Sequence, residues 1–200
     1  DWSQANKSRQ KEIKLLKEIH ADLNATEQDF MNVFNGSENL IKSKDVVSKY
    51  FEEGQVWHDS LQKYFNRFFM FYNYAIKQTA FNSLENWGVD NLSNDTLRTQ
   101  LMSLFGKGGT VDYLKRLDTS EEALLYGTYQ DLIAQVMNFD NIYKIVPYEN
   151  GAERLKEEYV RKEKLHKAIL IYDLQIRKSI LETIRQLKEN VAKEIARLDE

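Results

Sequence analysis

The chain has 200 residues, 42% apolar and 12% aromatic, enough for a real core in one domain. Its 28 basic and 31 acidic residues leave a net charge of −3, too balanced to favour nucleic acid or an anionic surface. It has no cysteine, which excludes disulfides, thiolate catalysis, cysteine zinc sites and iron–sulfur clusters.

Breakers are few, with 8 glycines and a single proline, Pro147. Abundant Lys, Glu, Leu and Gln then favour long helices. The first helix carries Ile13, Leu16, Ile19, Leu23, Phe30 and Phe34 at three–four spacing, one stripe among charged residues. Asn35-Gly36-Ser37 is a candidate interruption. Leu40, Ile41, Val47 and Phe51 resume the stripe, and Gly54 reads as the C-terminal cap.

A second helix is expected from about Gln55 through the most aromatic stretch to Leu84, ending at Gly88. Apolar nearly all round, it belongs at the centre. Ser93 is expected to cap a third helix, with Asn94 and Asp95 in its first turn and Leu97, Leu101, Leu104 and Phe105 facing inward. Gly106 to Gly109 forms a loop, and VDYLKRL a short helix. Thr119 or Ser120 should cap another helix from Glu121 to Val146. Pro147 to Gly151 is the last loop. From Ala152 to Leu198 the chain reads as one helix of roughly 70 Å at the usual rise. Its stripe is Tyr159, Leu165, Ile169, Tyr172, Ile176, Ile180, Ile184, Leu187, Val191, Ile195 and Leu198. No strand and no repeat is evident. The expected fold is all-α: an elongated antiparallel helical bundle, a single domain over 1–200, with long terminal helices.

Sites are sparse. His20, His58 and His166 lack a ligand motif at helical spacing, so they read as ordinary histidines and no metal is expected. Gly106-Lys107-Gly108-Gly109-Thr110 lacks the spacing and the preceding strand of a phosphate loop. No Ser, His and Asp set carries a signature of nucleophilic catalysis. The aromatic run suggests a candidate ligand pocket at Tyr64, Arg67, Phe68, Tyr72 and Tyr74, against the simpler reading of packed core. No cofactor and no enzyme activity is expected.

Two segments resemble a family of uncharacterised, single-pass membrane-anchored proteins common in Bacteroidota. Asp1-Trp2-Ser3-Gln4 stands where that family has its N-N-W-N-E-like motif. Leu15-Leu16-Lys17-Glu18-Ile19 and Ala21-Asp22-Leu23 are similar to the helix after it. Thr79-Ala80-Phe81, Leu84, Gly88, Leu92-Ser93-Asn94, Leu97-Arg98 and Leu101 are similar to its later glycine-break motif, with departures at Trp87 and Asp90-Asn91. The family brings no established activity. It implies a transmembrane helix before Asp1, Trp2 at a membrane interface, and an extracytoplasmic domain on the periplasmic side of the inner membrane. The leading expectation is a non-catalytic interaction or scaffold domain of the envelope, using an exposed helix face or the loops at Gly88–Ser93, Gly106–Gly109 and Pro147–Gly151. Its partner would be another envelope protein or a second copy. The alternative is a sensory domain binding a small molecule between helices.

Overall fold

A computed structural model describes residues 2–53, 58–67, 75–124, 137–141, 144–147 and 151–200. The fold is a helical bundle with long N- and C-terminal helices, α among the described residues apart from one short antiparallel pair of strands. Helix α1 (Trp2–Glu53) runs without a break through Asn35-Gly36-Ser37. A glycine inside a helix costs only about 1 kcal/mol. Burial of Phe34 and Leu40 on either side offsets that. The Gly54 cap lies outside the described residues.

The long aromatic helix expected from Gln55 is not continuous. A 3-10 turn (Asp59–Leu61) leads into α2 (Gln62–Asn66), residues 75–78 are irregular, and α3 (Thr79–Trp87) begins anew. A second 3-10 turn (Val89–Asn91) joins α3 to α4 (Asp95–Phe105). The Gly106–Gly109 loop is present, its Gly108 N–H donating to Asp112 Oδ2 at 2.7 Å. Helix α5 (Thr110–Leu124) passes straight through Thr119 and Ser120, which therefore cap nothing.

The helix expected to reach Val146 also gives way. Strands β1 (Met137–Asn141) and β2 (Lys144–Pro147) pair antiparallel, with a register shift between Asn138 and Asn141. Ile145 and Val146 have the β-branched side chains that suit a pleated strand, and Pro147 stands at its end, where a missing N–H does least harm. Helix α6 (Gly151–Asp199) completes the chain, close to its expected bounds.

The chain divides into two compact units. The first comprises Asp1–Asn32, Tyr74–Arg116 and Arg177–Glu200. Here α1 and α6 run antiparallel: Arg9 Nε donates to the Leu198 carbonyl at 2.5 Å, and Arg185 Nε to Glu27 Oε1 at 2.8 Å. Leu16, Ile19 and Leu23 of α1 are buried together with Leu84, Leu101, Ile184 and Val191. Each such side chain contributes about 1.5–3 kcal/mol relative to exposure. Phe81 and Phe105 stack with centroids 4.9 Å apart, clasping α3 to α4.

The second unit comprises Val33–Asn73 and Leu117–Ile176. Its α1 and α6 segments are antiparallel too, linked by Lys164–Glu52 at 3.0 Å and by Lys167–Asp45. Its core includes Phe34, Leu40, Val47, Tyr50, Leu170 and Leu174.

Candidate functional site

The polar turn after α3 is a joint between helices. Gly88 adopts φ 104°, a left-handed backbone that a side chain disfavours. Its N–H donates to the Leu84 carbonyl at 2.9 Å and closes α3. Asn91 Nδ2 then donates to the Trp87 carbonyl at 2.6 Å, and Leu92 is buried beneath the turn. Ser93 does not cap α4. Asn94 does, its Oδ1 accepting the Leu97 N–H at 3.0 Å.

Ser93 instead meets the terminal helices. Its N–H and its hydroxyl each donate to Glu12 Oε1 at 2.8 Å. Arg197 Nη2 donates to the same hydroxyl at 3.0 Å. Asn94 Nδ2 donates to Glu194 Oε2 at 2.8 Å. Glu12 and Glu194 are only 5% and 4% exposed, so their carboxylates are held by donors rather than by water. Arg197, hydrogen-bonded to Glu194, holds that carboxyl below its usual range despite the opposing effect of burial, and Asn94 and Ser93 add to it. The arrangement fixes position: the uncharged Ser93-Asn94 pair is gripped by one carboxylate from α1 and one from α6.

A second grip lies along α1. Asp22 Oδ2 accepts the Ala80 N–H at 2.9 Å, and Thr26 Oγ1 accepts the Lys77 N–H at 3.2 Å. The residue at the start of α3, Gln78, makes no side-chain cap. Helix α1 therefore supplies the cap that the local sequence lacks, which is why the chain breaks at 75–78 without a Ser, Thr, Asp or Asn there to announce it.

The second unit buries Lys44, His166 and Asp173. Burial first, and then the nearby Lys44 ammonium, push the His166 imidazole down to about 2, so it is neutral at any ordinary pH. His20 is half-buried, and His58 is exposed, its Nδ1 accepting the Ser60 N–H at 3.2 Å. Among the described residues no group of three His, Asp or Glu converges as metal ligands would, and no helix is long and apolar enough to cross a membrane.

Of the pocket residues named from sequence, Tyr64 is half-buried under the Lys63 ammonium, 4.8 Å from its ring centre, and Arg67 is exposed one turn on. Phe68, Tyr72 and Tyr74 lie outside the described residues.

The stripe on α6 needs correction in its first half. Ile184, Leu187, Val191 and Leu198 are buried as expected. Leu165 and Tyr172 are not: they are 58% and 62% exposed. Tyr159 lies among residues whose side chains are not described. The buried seam, followed back from Leu198 in steps of three and four, reaches Leu181, Arg177, Leu174, Asp173, Leu170 and His166. The inward face thus contains charged and polar residues, and apolar ones lie outside it. Trp2, at 84%, is the most exposed of the large apolar residues among those described.

The residues that sequence reasoning missed share one signal. Glu12 precedes Leu16 by one turn, Lys44 lies between Leu40 and Val47, and Glu194 between Val191 and Leu198. Each is a charge set in a buried seam, a position that requires a fixed partner. Comparison of the chain with protein-family models, curated proteins and solved structures finds no match to any of them.

Proposed function

We propose that the chain is a non-catalytic interaction or scaffold domain of a membrane-anchored envelope protein, facing the periplasm. The observation that carries this reading is the exposed apolar surface of α6 at Leu165, Ile171 and Tyr172 on a firmly packed helix. Large apolar side chains grouped on a rigid face suit a protein partner. Supporting it, the buried carboxylates of Glu12 and Glu194 anchor a loop and half-buried Asp22 caps α3, roles that hold shape. Exposed Trp2 suits the headgroup region of a bilayer.

Photo-reactive residues at Trp2, Tyr113 and Tyr172, introduced in the producing cell, test this. A defined protein adduct at one or more of them is expected. No adduct at any position, with a small molecule retained in native mass spectrometry, would replace the scaffold by the sensory alternative.

A further inference from the structure

Resting on that reading, we infer that the exposed face of α6 between Arg161 and Gln175 docks an acidic amphipathic helix of a partner protein. Leu165, Ala168, Ile171 and Tyr172 are all exposed on this stretch, while Leu170, Asp173 and Leu174 face the core. Leu165, Ala168 and Tyr172 follow one another at three–four spacing, which makes a ridge running along the helix. The ridge is about two turns long, roughly 11 Å at the usual rise. A second helix lying along it could seat apolar residues at matching spacing.

Charge selects the occupant. Among described residues 161–175, the exposed charged ones are Arg161 and Lys164, and the carboxylate Asp173 is buried. Lys164 pairs with Glu52 at 3.0 Å, but both groups are well exposed, and such a pair is weak and readily exchanged. The exposed face is therefore apolar with a basic N-terminal end. A second copy of the same face would meet it along a ridge of only about 11 Å, too short to bury the roughly 800 Å² per partner of a stable dimer. A helix with a leucine seam and glutamates over Arg161 and Lys164 matches both features, with charge setting orientation and encounter rate.

The probe is a designed, fluorescently labelled amphipathic helix with a leucine seam and glutamate flanks, compared with the same peptide carrying lysine flanks. Anisotropy titration of the whole chain should show the acidic peptide binding at least tenfold tighter. Leu165→Ser with Tyr172→Ser should weaken it at least tenfold. Both sites are exposed, so the urea midpoint should stay put. Arg161→Glu alone should narrow the preference for the acidic peptide at least threefold. Equal binding of the two peptides, or binding indifferent to these changes, would overturn the inference. A dimer in sedimentation equilibrium that dissociates in L165S/Y172S would assign the face to a second copy instead. Cross-linking through Trp2 or Tyr113 with none through Tyr172, and no peptide binding, would sink this inference while leaving the scaffold reading intact.

Discussion

The Asp22 carboxylate accepts the Ala80 amide proton at 2.9 Å across 58 residues of sequence. A helix start is thereby secured by a side chain of another helix. Asp22→Ala should cost about 1 kcal/mol, the usual worth of a lost N-cap. Asp22→Asn, which keeps an acceptor, should cost less. Urea denaturation gives the magnitude. Faster hydrogen exchange at Ala80 would identify the cap as the cause, and unchanged exchange there would dismiss it.

Gly88→Val should destabilise by about 1 kcal/mol or more, because Gly88 holds φ 104°. A Cβ there would also meet Asn91 Nδ2 at 2.8 Å. The two causes separate in Gly88→Ala with Asn91→Ala. Removing Asn91 relieves the clash and leaves the backbone strain, so only part of the loss should return. Full recovery would show that the left-handed backbone contributes nothing.

Burial of neutral His166 makes stability depend on pH. The unfolded imidazole titrates near 6.5 and the folded one near 2. Below 6.5 the unfolded state binds the extra proton, so stability present above 6.5 is lost as pH falls toward 2. The slope approaches about 1.4 kcal/mol per pH unit. Urea midpoints are compared at neutral pH and one to two units below it, above the range in which the depressed carboxyls of Glu27 and Glu194 titrate. His166→Leu should flatten the dependence in that window. A slope that survives the substitution would place its origin elsewhere.

Glu194→Ala removes an acceptor shared by Asn94 and Arg197. Loss of charge-assisted bonds at a buried carboxylate costs about 2 kcal/mol. Arg197 is well exposed and keeps its solvation, so the loss stays well short of that for a buried cation. The wild-type carboxyl is held low, so its contribution is present above the usual carboxylate range and fades as pH falls below it. Thermal melts of both proteins should therefore differ at neutral pH and converge in acid. A constant gap would count against ionisation as the source.

The helices were readable where apolar residues alone fill the inner face. From Ile13 to Leu23 the three–four spacing picks out the buried side chains, and Leu97 to Phe105 does the same on α4. Reading failed where a charge occupies the seam. On α6 the apolar residues Leu165 and Tyr172 drew the stripe to one side, while His166, Asp173 and Arg177 take the buried positions. It failed again where a distant residue acts locally. Gln78 itself does not signal a helix start, since the cap comes from Asp22, and Ser93 looks like a cap because its true acceptor, Glu12, is 81 residues away. The hairpin was missed because Met137 to Pro147 has no Asn-Gly or Asp-Gly turn to mark it. Of the aromatic pocket, Tyr64 and Arg67 lie at described positions, the first half-buried and the second exposed.

Arg9 touches the carbonyl of Leu198, 189 residues later. The core of the first unit thus waits for residues 177–200 to leave the ribosome. Until Leu181 to Leu198 is made, the apolar stripe of α1 has no α6 to cover it. Closing so long a loop is slow relative to forming local helices. The nascent chain therefore carries a partly uncovered apolar stripe until residues 177–200 are made, and a ribosome that stalls before them releases a product whose first core is incomplete.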